Sequence, residues 1–362
     1  MLYHLLYPLR EFWFGFNVFR YITFRAVMAS VTAFLISIIL GPIIIGILRN
    51  LKIGQNIRKE YVEDLYELHK HKSGTPTMGG FLILTSIISA TLLWARLDNK
   101  FIILCLISML WLGLVGFVDD YLKMIREHSR GLRASAKLTG QVLFAILVAL
   151  YLYNDKSIAA SLYLPFFKNM VINLGLFYIL FAVIVIVGSS NAVNITDGLD
   201  GLAIGCVTII ALTYAIMSYV TGHVNLSSYL NVYFLTGSGE LSVLCAAIAG
   251  SGLGFLWFNS HPATVFMGDT GSLALGGVIG LISLLIKKEI LLLVVGGIFV
   301  IEVISVILQV LSFKLKGKRI FLMAPLHHHF QLKGIHESKV IIRFWIVAII
   351  LALLSLATLK LR

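Results

Sequence analysis

The 362-residue chain has few charged residues, few cysteines and few prolines. Charged side chains make up 13% of it, only 17 residues are acidic, and there are six prolines. The three cysteines, Cys105, Cys206 and Cys245, are odd in number and lie in apolar stretches, which argues against a disulfide framework. No polar segment is long enough for a separate soluble domain. We therefore predict one domain over residues 1–362.

Long apolar runs dominate what is present. The chain is 59% hydrophobic and its mean hydropathy is +0.95, which indicates an integral membrane protein. We predict an all-α fold with about ten transmembrane helices. The predicted spans are residues 24–48, 78–95, 101–118, 138–153, 171–188, 199–220, 241–257, 270–286, 289–312 and 340–360. Residues 1–23 are aromatic and lack the cleavage site of a signal peptide, so we expect an interfacial helix there.

Lysine and arginine set the predicted orientation. Alternate connections between the spans hold 17 of the 29 basic residues, so the positive-inside rule places these connections in the cytoplasm and both termini in the periplasm. The predicted cytoplasmic loops are 49–77, 119–137, 189–198, 258–269 and 313–339. The net charge of +12 then fits loops that face anionic lipid and phosphate ligands better than it fits nucleic-acid binding.

Five aspartates lie at the edges of apolar runs, and all five fall on the predicted cytoplasmic side. A carboxylate at the bilayer centre costs about 2.5–3.5 kcal/mol on insertion scales. The orientation came from basic residues alone, so the shared side is independent support for one hydrated site at the cytoplasmic face. The five are Asp119, Asp120, Asp197, Asp200 and Asp269.

The segment NAVNITDGLDGLA contains two pairs of polar residues, each spaced by three. Asn191 with Asn194, and Asp197 with Asp200, would each share one face of a helix. A face of amides and carboxylates without lysine suits a hydrated cation or sugar hydroxyls. The alternative is capping of a helix N-terminus, which needs one such residue and not four.

Two adjacent carboxylates and two lysines lie in or after the motif GFVDDYLK. Asp119 and Asp120 precede Lys123, and Lys137 follows after a basic stretch. A carboxylate beside lysines can act as a base or help to hold a metal–phosphate complex. The alternative is a solvated helix end without function.

Two further loops contain candidate ligands. In NSHPATVFMGDTGS, Asn259 and Asp269 are polar candidates, Asp269 as a metal ligand, and Phe266 either stacks on a nucleobase or is a membrane-interface aromatic. In LHKHKSGTPTMGG, Lys72 and Thr77 either reach a phosphate or belong to a juxtamembrane anchor.

Histidine and glutamate give two less specific signals. Three consecutive histidines, His327, His328 and His329, cannot all point at one metal from a regular helix or strand, so phosphate contact is the better prediction and a solvated loop the alternative. Glu302 lies inside the ninth predicted span. An intramembrane carboxylate either has a function or satisfies a neighbouring helix, and the sequence leaves both open.

This combination of side chains favours one reaction class. Mg²⁺ prefers oxygen ligands and bridges carboxylates to phosphates, and phosphoryl transfer depends on charge neutralisation and positioning. The residues therefore predict metal-assisted phosphoryl transfer at the cytoplasmic interface. A transporter or flippase is the alternative class, but its polar residues should line a path across the membrane, and here they cluster at one face.

The four motifs GFVDDYLK, NAVNITDGLDGLA, NSHPATVFMGDTGS and MAPLHHHFQLKG resemble those of the polyprenyl-phosphate N-acetylhexosamine-1-phosphate transferases. Within that superfamily the chain is most similar to the phospho-N-acetylmuramoyl-pentapeptide-transferases. The resemblance implies transfer of phospho-MurNAc-pentapeptide from UDP-MurNAc-pentapeptide to undecaprenyl phosphate, giving lipid I and UMP. It also implies a Mg²⁺ cofactor, ten spans, a homodimer and the bacterial inner membrane. A transferase of another hexosamine pathway is the nearest alternative, although PLHHHFQLKG favours the muramoyl branch.

The resemblance also implies roles for individual residues. Asp119 would deprotonate the lipid phosphate, and Asp269 would hold Mg²⁺ with Asp197 nearby. The residues that shape the site or bind the nucleotide and phosphates would be Asp120, Asn191, Asn194, Asp200, the three histidines, Lys72, Thr77, Lys123, Lys137, Asn259 and Phe266. Direct attack and a covalent phospho-aspartate intermediate both remain open. Gln331 stands where the family commonly has an acidic residue, which puts an essential charge there in doubt.

Overall fold

Helices account for nearly all regular structure in the protein. The computed structural model describes residues 1–51, 72, 74–125, 131–155, 158, 160–164 and 171–360. Its α-helices are α1 Leu2–Leu6, α2 Ile22–Asn50, α3 Gly80–Trp94, α4 Lys100–Ile125, α5 Ala134–Asn154, α6 Phe177–Thr196, α7 Leu202–Thr221, α8 Val224–Leu230, α9 Leu241–Asn259, α10 Gly268–Leu285, α11 Glu289–Val295, α12 Gly297–Lys316, α13 Leu326–Leu332 and α14 Glu337–Ala357.

The helices confirm an all-α, multi-pass membrane protein. Within the described residues, nine helical segments are long and apolar enough to cross a bilayer, and α3, with 15 residues, is a shorter apolar helix. Together these ten helices correspond to the ten predicted spans. The described residues also form short 3₁₀ turns at Tyr7–Glu11, Phe14–Arg20, Ser238–Glu240 and Thr358–Lys360.

Several boundaries differ from the predicted ones. Helix α4 continues beyond residue 118 and includes Asp119 and Asp120, because both carboxylates find partners inside the protein. Helix α6 begins only at Phe177 and continues through most of the predicted loop 189–198. The ninth predicted span is divided at Gly296 into α11 and α12.

Two segments have structure that the sequence did not indicate. A small antiparallel hairpin joins β1, Ser161–Tyr163, to β2, Val171–Asn173, with Leu162 opposite Ile172. The predicted helical lead-in at residues 1–23 consists of α1 and two 3₁₀ turns. Some of its aromatic side chains are exposed, Phe12 at 87% and Phe14 at 83%, whereas Phe19 packs against the core.

Small residues let the central helices approach closely. Helices α9 and α10 are the most buried spans, and glycines occupy their contacts with neighbours. A Cβ on Gly250 of α9 would lie 2.0 Å from the carbonyl oxygen of Ser30 on α2, and one on Gly116 of α4 would lie 2.2 Å from that of Asp269. Close backbone packing of this kind holds helices together in lipid, where apolar contact alone gives no preference.

A buried ion pair joins α2 to the end of the bundle opposite the aspartates. Both terminal nitrogens of Arg25 donate to the Glu240 carboxylate at 2.6 Å, and one also donates to the Trp94 carbonyl. Arg25 is 1% exposed and Glu240 is 5% exposed. Bidentate pairing of this kind compensates a guanidinium that would otherwise be costly inside the membrane.

Replacing Gly250 tests the packing of α2 on α9. We expect Gly250→Val to destabilise the protein by about 1–3 kcal/mol, because the new side chain overlaps the α2 backbone. Thermal unfolding in detergent measures the effect. Gly46→Val is the matched control, since no atom of another helix in the described part of the chain lies within 4 Å of its Cβ position. Equal unfolding midpoints for the two variants would contradict the packing described.

Candidate active site

The structure brings three of the five aspartates together at one end of the bundle. Asp119 and Asp120 lie in the last turns of α4, and Asp269 is the second residue of α10. One carboxylate oxygen from each of the three lies within 4.8 Å of the others. Residues separated by 150 positions in sequence therefore form one acidic group.

Asp269 has contacts with three different helices. Its Oδ2 lies 2.6 Å from the Lys137 ammonium of α5 and 3.1 Å from that of Lys123 on α4. Its Oδ1 accepts a hydrogen bond from the Asn194 amide of α6 at 2.8 Å. The Asp269 side chain is 14% exposed, so these three partners, more than water, stabilise its negative charge. The predicted residues Lys123, Lys137 and Asn194 thus surround Asp269.

Asp120 fixes the start of α10. Its carboxylate accepts hydrogen bonds from the backbone N–H groups of Asp269 and Thr270, at 3.1 and 2.9 Å, and from the Thr270 hydroxyl at 2.7 Å. These are the unpaired donors at a helix N-terminus, and a negative charge is stabilised there. Gly268 has a φ of +73°, and a Cβ on it would lie 2.7 Å from Asp120, so glycine is required on both counts. Asp120 therefore positions Asp269.

Asp119 is also buried, and each of its carboxylate oxygens has one donor. It is 3% exposed, its Oδ1 accepts from the Leu132 N–H at 2.7 Å, and its Oδ2 lies 2.6 Å from Lys123. A Cβ on Gly131 would lie 2.4 Å from this carboxylate. Each Asp119 oxygen therefore has one donor in this state and one further lone pair that can accept a proton.

The donor set fits a hard divalent cation. Three carboxylates meet two ammonium groups, so one negative charge is uncompensated among these five side chains. Mg²⁺ takes oxygen ligands and keeps several waters, which suits a group of carboxylates that is only partly enclosed.

Asp197 lies beside this group without joining it. It follows α6 directly, and its carboxyl is not among the three that share the 4.8 Å sphere. Burial, together with the negative charges of Asp269, Asp120 and Asp200, raises the pKa of Asp197 to about 8. Its predicted part in holding a metal remains a prediction.

Asp200 belongs to a second, separate cluster. Its carboxylate lies 2.7 Å from the Lys72 ammonium, which also lies 2.6 Å from Glu337 of α14. The His261 ring and the Ala263 N–H contact the other Asp200 oxygen, each at 3.1 Å. Lys72 is 7% exposed, so its ammonium is committed to two carboxylates in this state.

Asn259, Phe266 and Thr77 lie where two loops pair. Asn259 accepts from the Gly201 N–H and donates to the Val265 carbonyl, which ties the start of α7 to the loop before α10. The backbone of Phe266 bonds to Pro76 and Gly79, both at 2.8 Å. Thr77 lies beside Gly268. Of these three predicted residues, Thr77 therefore lies next to the acidic group, and Asn259 and Phe266 hold the loop that leads to it.

Asn191 and the three histidines have divergent partners. Asn191 donates to Gln141 at 2.7 Å. His327 is buried against Glu302, with 3.2 Å between Nδ1 and Oε2, His328 faces Gln331 at 2.9 Å, and His329 accepts from the Leu322 N–H. The rings thus have three different environments, and their predicted contact with phosphate stays a prediction.

Sequence reasoning did not single out three members of these contacts. Glu337, Thr270 and Gln141 each hold a predicted residue in place. His261, which lies in the same polar loop as Asn259, contacts Asp200. Glu337 opens the last span beside Gln331, whose amide lies 3.4 Å from it. The position of Glu337, an acidic residue just before the last predicted span, could have indicated a role for it. The sequence around Thr270 and Gln141 gives no such indication.

Removing Lys72 tests the second cluster. Lys72→Met leaves Asp200 and Glu337 as two buried carboxylates without their shared cation, and breaking such a pair costs about 3–5 kcal/mol. We expect a clearly lower thermal unfolding midpoint in detergent. The exposed Lys318→Met is the control and should unfold like the unmodified protein. An unchanged midpoint for Lys72→Met would show that the cluster contributes nothing to stability.

Comparisons with known proteins agree with this geometry. A family model described as glycosyl transferase family 4 matches residues 102–287. The phospho-N-acetylmuramoyl-pentapeptide-transferases of Desulforapulum autotrophicum and Pelobacter propionicus are each 54% identical to the chain, and that of Endomicrobium trichonymphae is 51% identical. Each similarity covers 100% of both chains.

Proposed function

The chain belongs to the phospho-N-acetylmuramoyl-pentapeptide-transferase family, and we propose on this basis that it makes lipid I. It transfers phospho-MurNAc-pentapeptide from UDP-MurNAc-pentapeptide to undecaprenyl phosphate. A lipid phosphate oxygen forms a bond to the sugar-linked phosphorus, the bond from that phosphorus to UMP breaks, and UMP leaves. The observation that supports this reaction most directly is the group of Asp119, Asp120 and Asp269 beside two lysines at one end of an apolar bundle.

We propose distinct roles for the three carboxylates. Asp269, with Asp197 nearby, would hold Mg²⁺, which when bound neutralises phosphate charge. Asp120 keeps Asp269 in position through the start of α10. Asp119 is the proposed base for the lipid phosphate, and it becomes more available when Lys123 turns from it toward phosphate.

The lysines suit the anionic partners of this reaction. Lys123 is 37% exposed and Lys137 is 16% exposed, so both can exchange a carboxylate for a phosphate oxygen. Phe266 is half-buried beside the group and offers an aromatic face for the uracil. We place the site at the cytoplasmic face of the bacterial inner membrane and propose that the enzyme acts as a homodimer.

UMP release tests the reaction itself. We expect purified protein to release UMP from UDP-MurNAc-pentapeptide only when undecaprenyl phosphate and Mg²⁺ are both present. The control reaction contains UDP-GlcNAc, which a transferase of another hexosamine pathway would use. Release without the lipid, or equal use of the two nucleotide sugars, would overturn the proposed function.

Replacing Asp269 tests the metal site. We expect Asp269→Asn to lower kcat by about 100-fold or more, because the amide cannot supply the charge that the cation needs, while folding changes little. UMP release over a range of Mg²⁺ concentrations measures this. Asp98→Asn is the matched control, since Asp98 is an exposed aspartate that pairs with Arg96 outside the site. Near-normal turnover of Asp269→Asn at ordinary Mg²⁺ would remove Asp269 from the metal site.

A further inference from the structure

Glu302 is a carboxylate inside the membrane that the proposed reaction does not use. It lies in α12, in the first half of the helix, and is 0% exposed. A lone carboxylate there is costly, so it needs a compensating partner. The Ser305 hydroxyl on the same helix donates to the Glu302 backbone carbonyl and not to the carboxylate.

That partner is one residue, His327. Its backbone N–H donates to Glu302 Oε1 at 3.2 Å, and its ring Nδ1 lies 3.2 Å from Oε2. His327 is 0% exposed, so the carboxylate and the imidazole face each other in an enclosed space. Nδ1 and Oε2 are not aligned for a hydrogen bond, and the bond from the His327 backbone N–H is what joins the two residues. The adjacent carboxylate also limits the orientations that the buried ring can take.

The other ring nitrogen lies against the candidate active site. A Cβ built on Gly198 would lie 2.3 Å from His327 Nε2, so the imidazole edge packs directly under the backbone between Asp197 and Asp200. In the described part of the chain neither Nε2 nor Nδ1 has a hydrogen-bond partner, and Nε2 is the one that faces the Asp197–Asp200 turn. An unsatisfied buried polar atom costs about 1–3 kcal/mol, and native proteins keep few of them.

We propose that Glu302 is a positioning residue that acts through His327. The pair supports the Asp197–Asp200 turn from the membrane side, and Nε2 is the atom that this turn engages when the diphosphate of the nucleotide sugar binds. Glycine at position 198 is what allows the imidazole to come so close. The inference rests on the proposed function, because it assigns the pair to that reaction.

A double-mutant cycle between Glu302 and His327 tests this. Glu302→Gln keeps the acceptor for the His327 N–H but removes the charge, and we expect kcat/KM for UDP-MurNAc-pentapeptide to fall about 10- to 100-fold. In a His327→Asn background, Glu302→Gln should cause no further loss of kcat/KM, because the imidazole through which Glu302 acts on the site is absent. Glu302→Asp should recover part of the activity. Thermal unfolding of each variant separates this effect from a loss of fold.

The outcomes are distinct. Glu289→Gln is the control, since it is also a buried carboxylate but lies near the opposite end of α10, and it should keep normal kcat/KM. Additive losses in the cycle, or full activity of Glu302→Gln beside an active unmodified protein, would overturn the positioning role. Absence of UMP release from the unmodified protein would instead overturn the proposed function, and this inference with it.

Discussion

The site depends on the placement of one carboxylate, that of Asp269, where four helices meet. Lysines from α4 and α5 and an amide from α6 converge on it, and Asp120 holds the N-terminus of α10 on which it stands. Each contact is charged or charge-assisted, and in a largely enclosed setting such contacts are stronger and more exacting in geometry than in water. Loss of register in any of the four helices would separate these groups.

Glycine packing makes that junction possible. Gly116 and Gly80 lie against the first turn of α10, and in both cases a Cβ would overlap backbone atoms of residues 269–271. The same spacing that holds the helices together in lipid therefore also sets the distances among the carboxylates. The same glycine contacts therefore stabilise the helix bundle and position the carboxylates.

The sequence predicted much of this. Apolar runs fixed the number and order of the spans, and aspartates at their edges predicted the shared acidic group, since both signals are local. Partners distant in sequence could not be foreseen. No residue near Asp200 in the sequence indicates that Lys72 or Glu337 will pair there. The sequence likewise does not indicate that the Leu132 N–H donates a hydrogen bond to Asp119. Among the five aspartates, Asp119, Asp120 and Asp269 converge, and the part of Asp197 in holding a metal stays a prediction.

We propose that the cation binds at Asp269, in the group with Asp119 and Asp120, and not at the second cluster of Asp200, His261 and Glu337. The two clusters differ in Lys72, whose ammonium lies 2.7 Å from Asp200 and 2.6 Å from Glu337 and so occupies the place that a cation would take between them. Anomalous diffraction from crystals of the protein grown with Mn²⁺ in place of Mg²⁺ tests this most directly. The account predicts one anomalous peak within coordination distance of Asp269. A peak between Asp200 and Glu337, with none at Asp269, would contradict it.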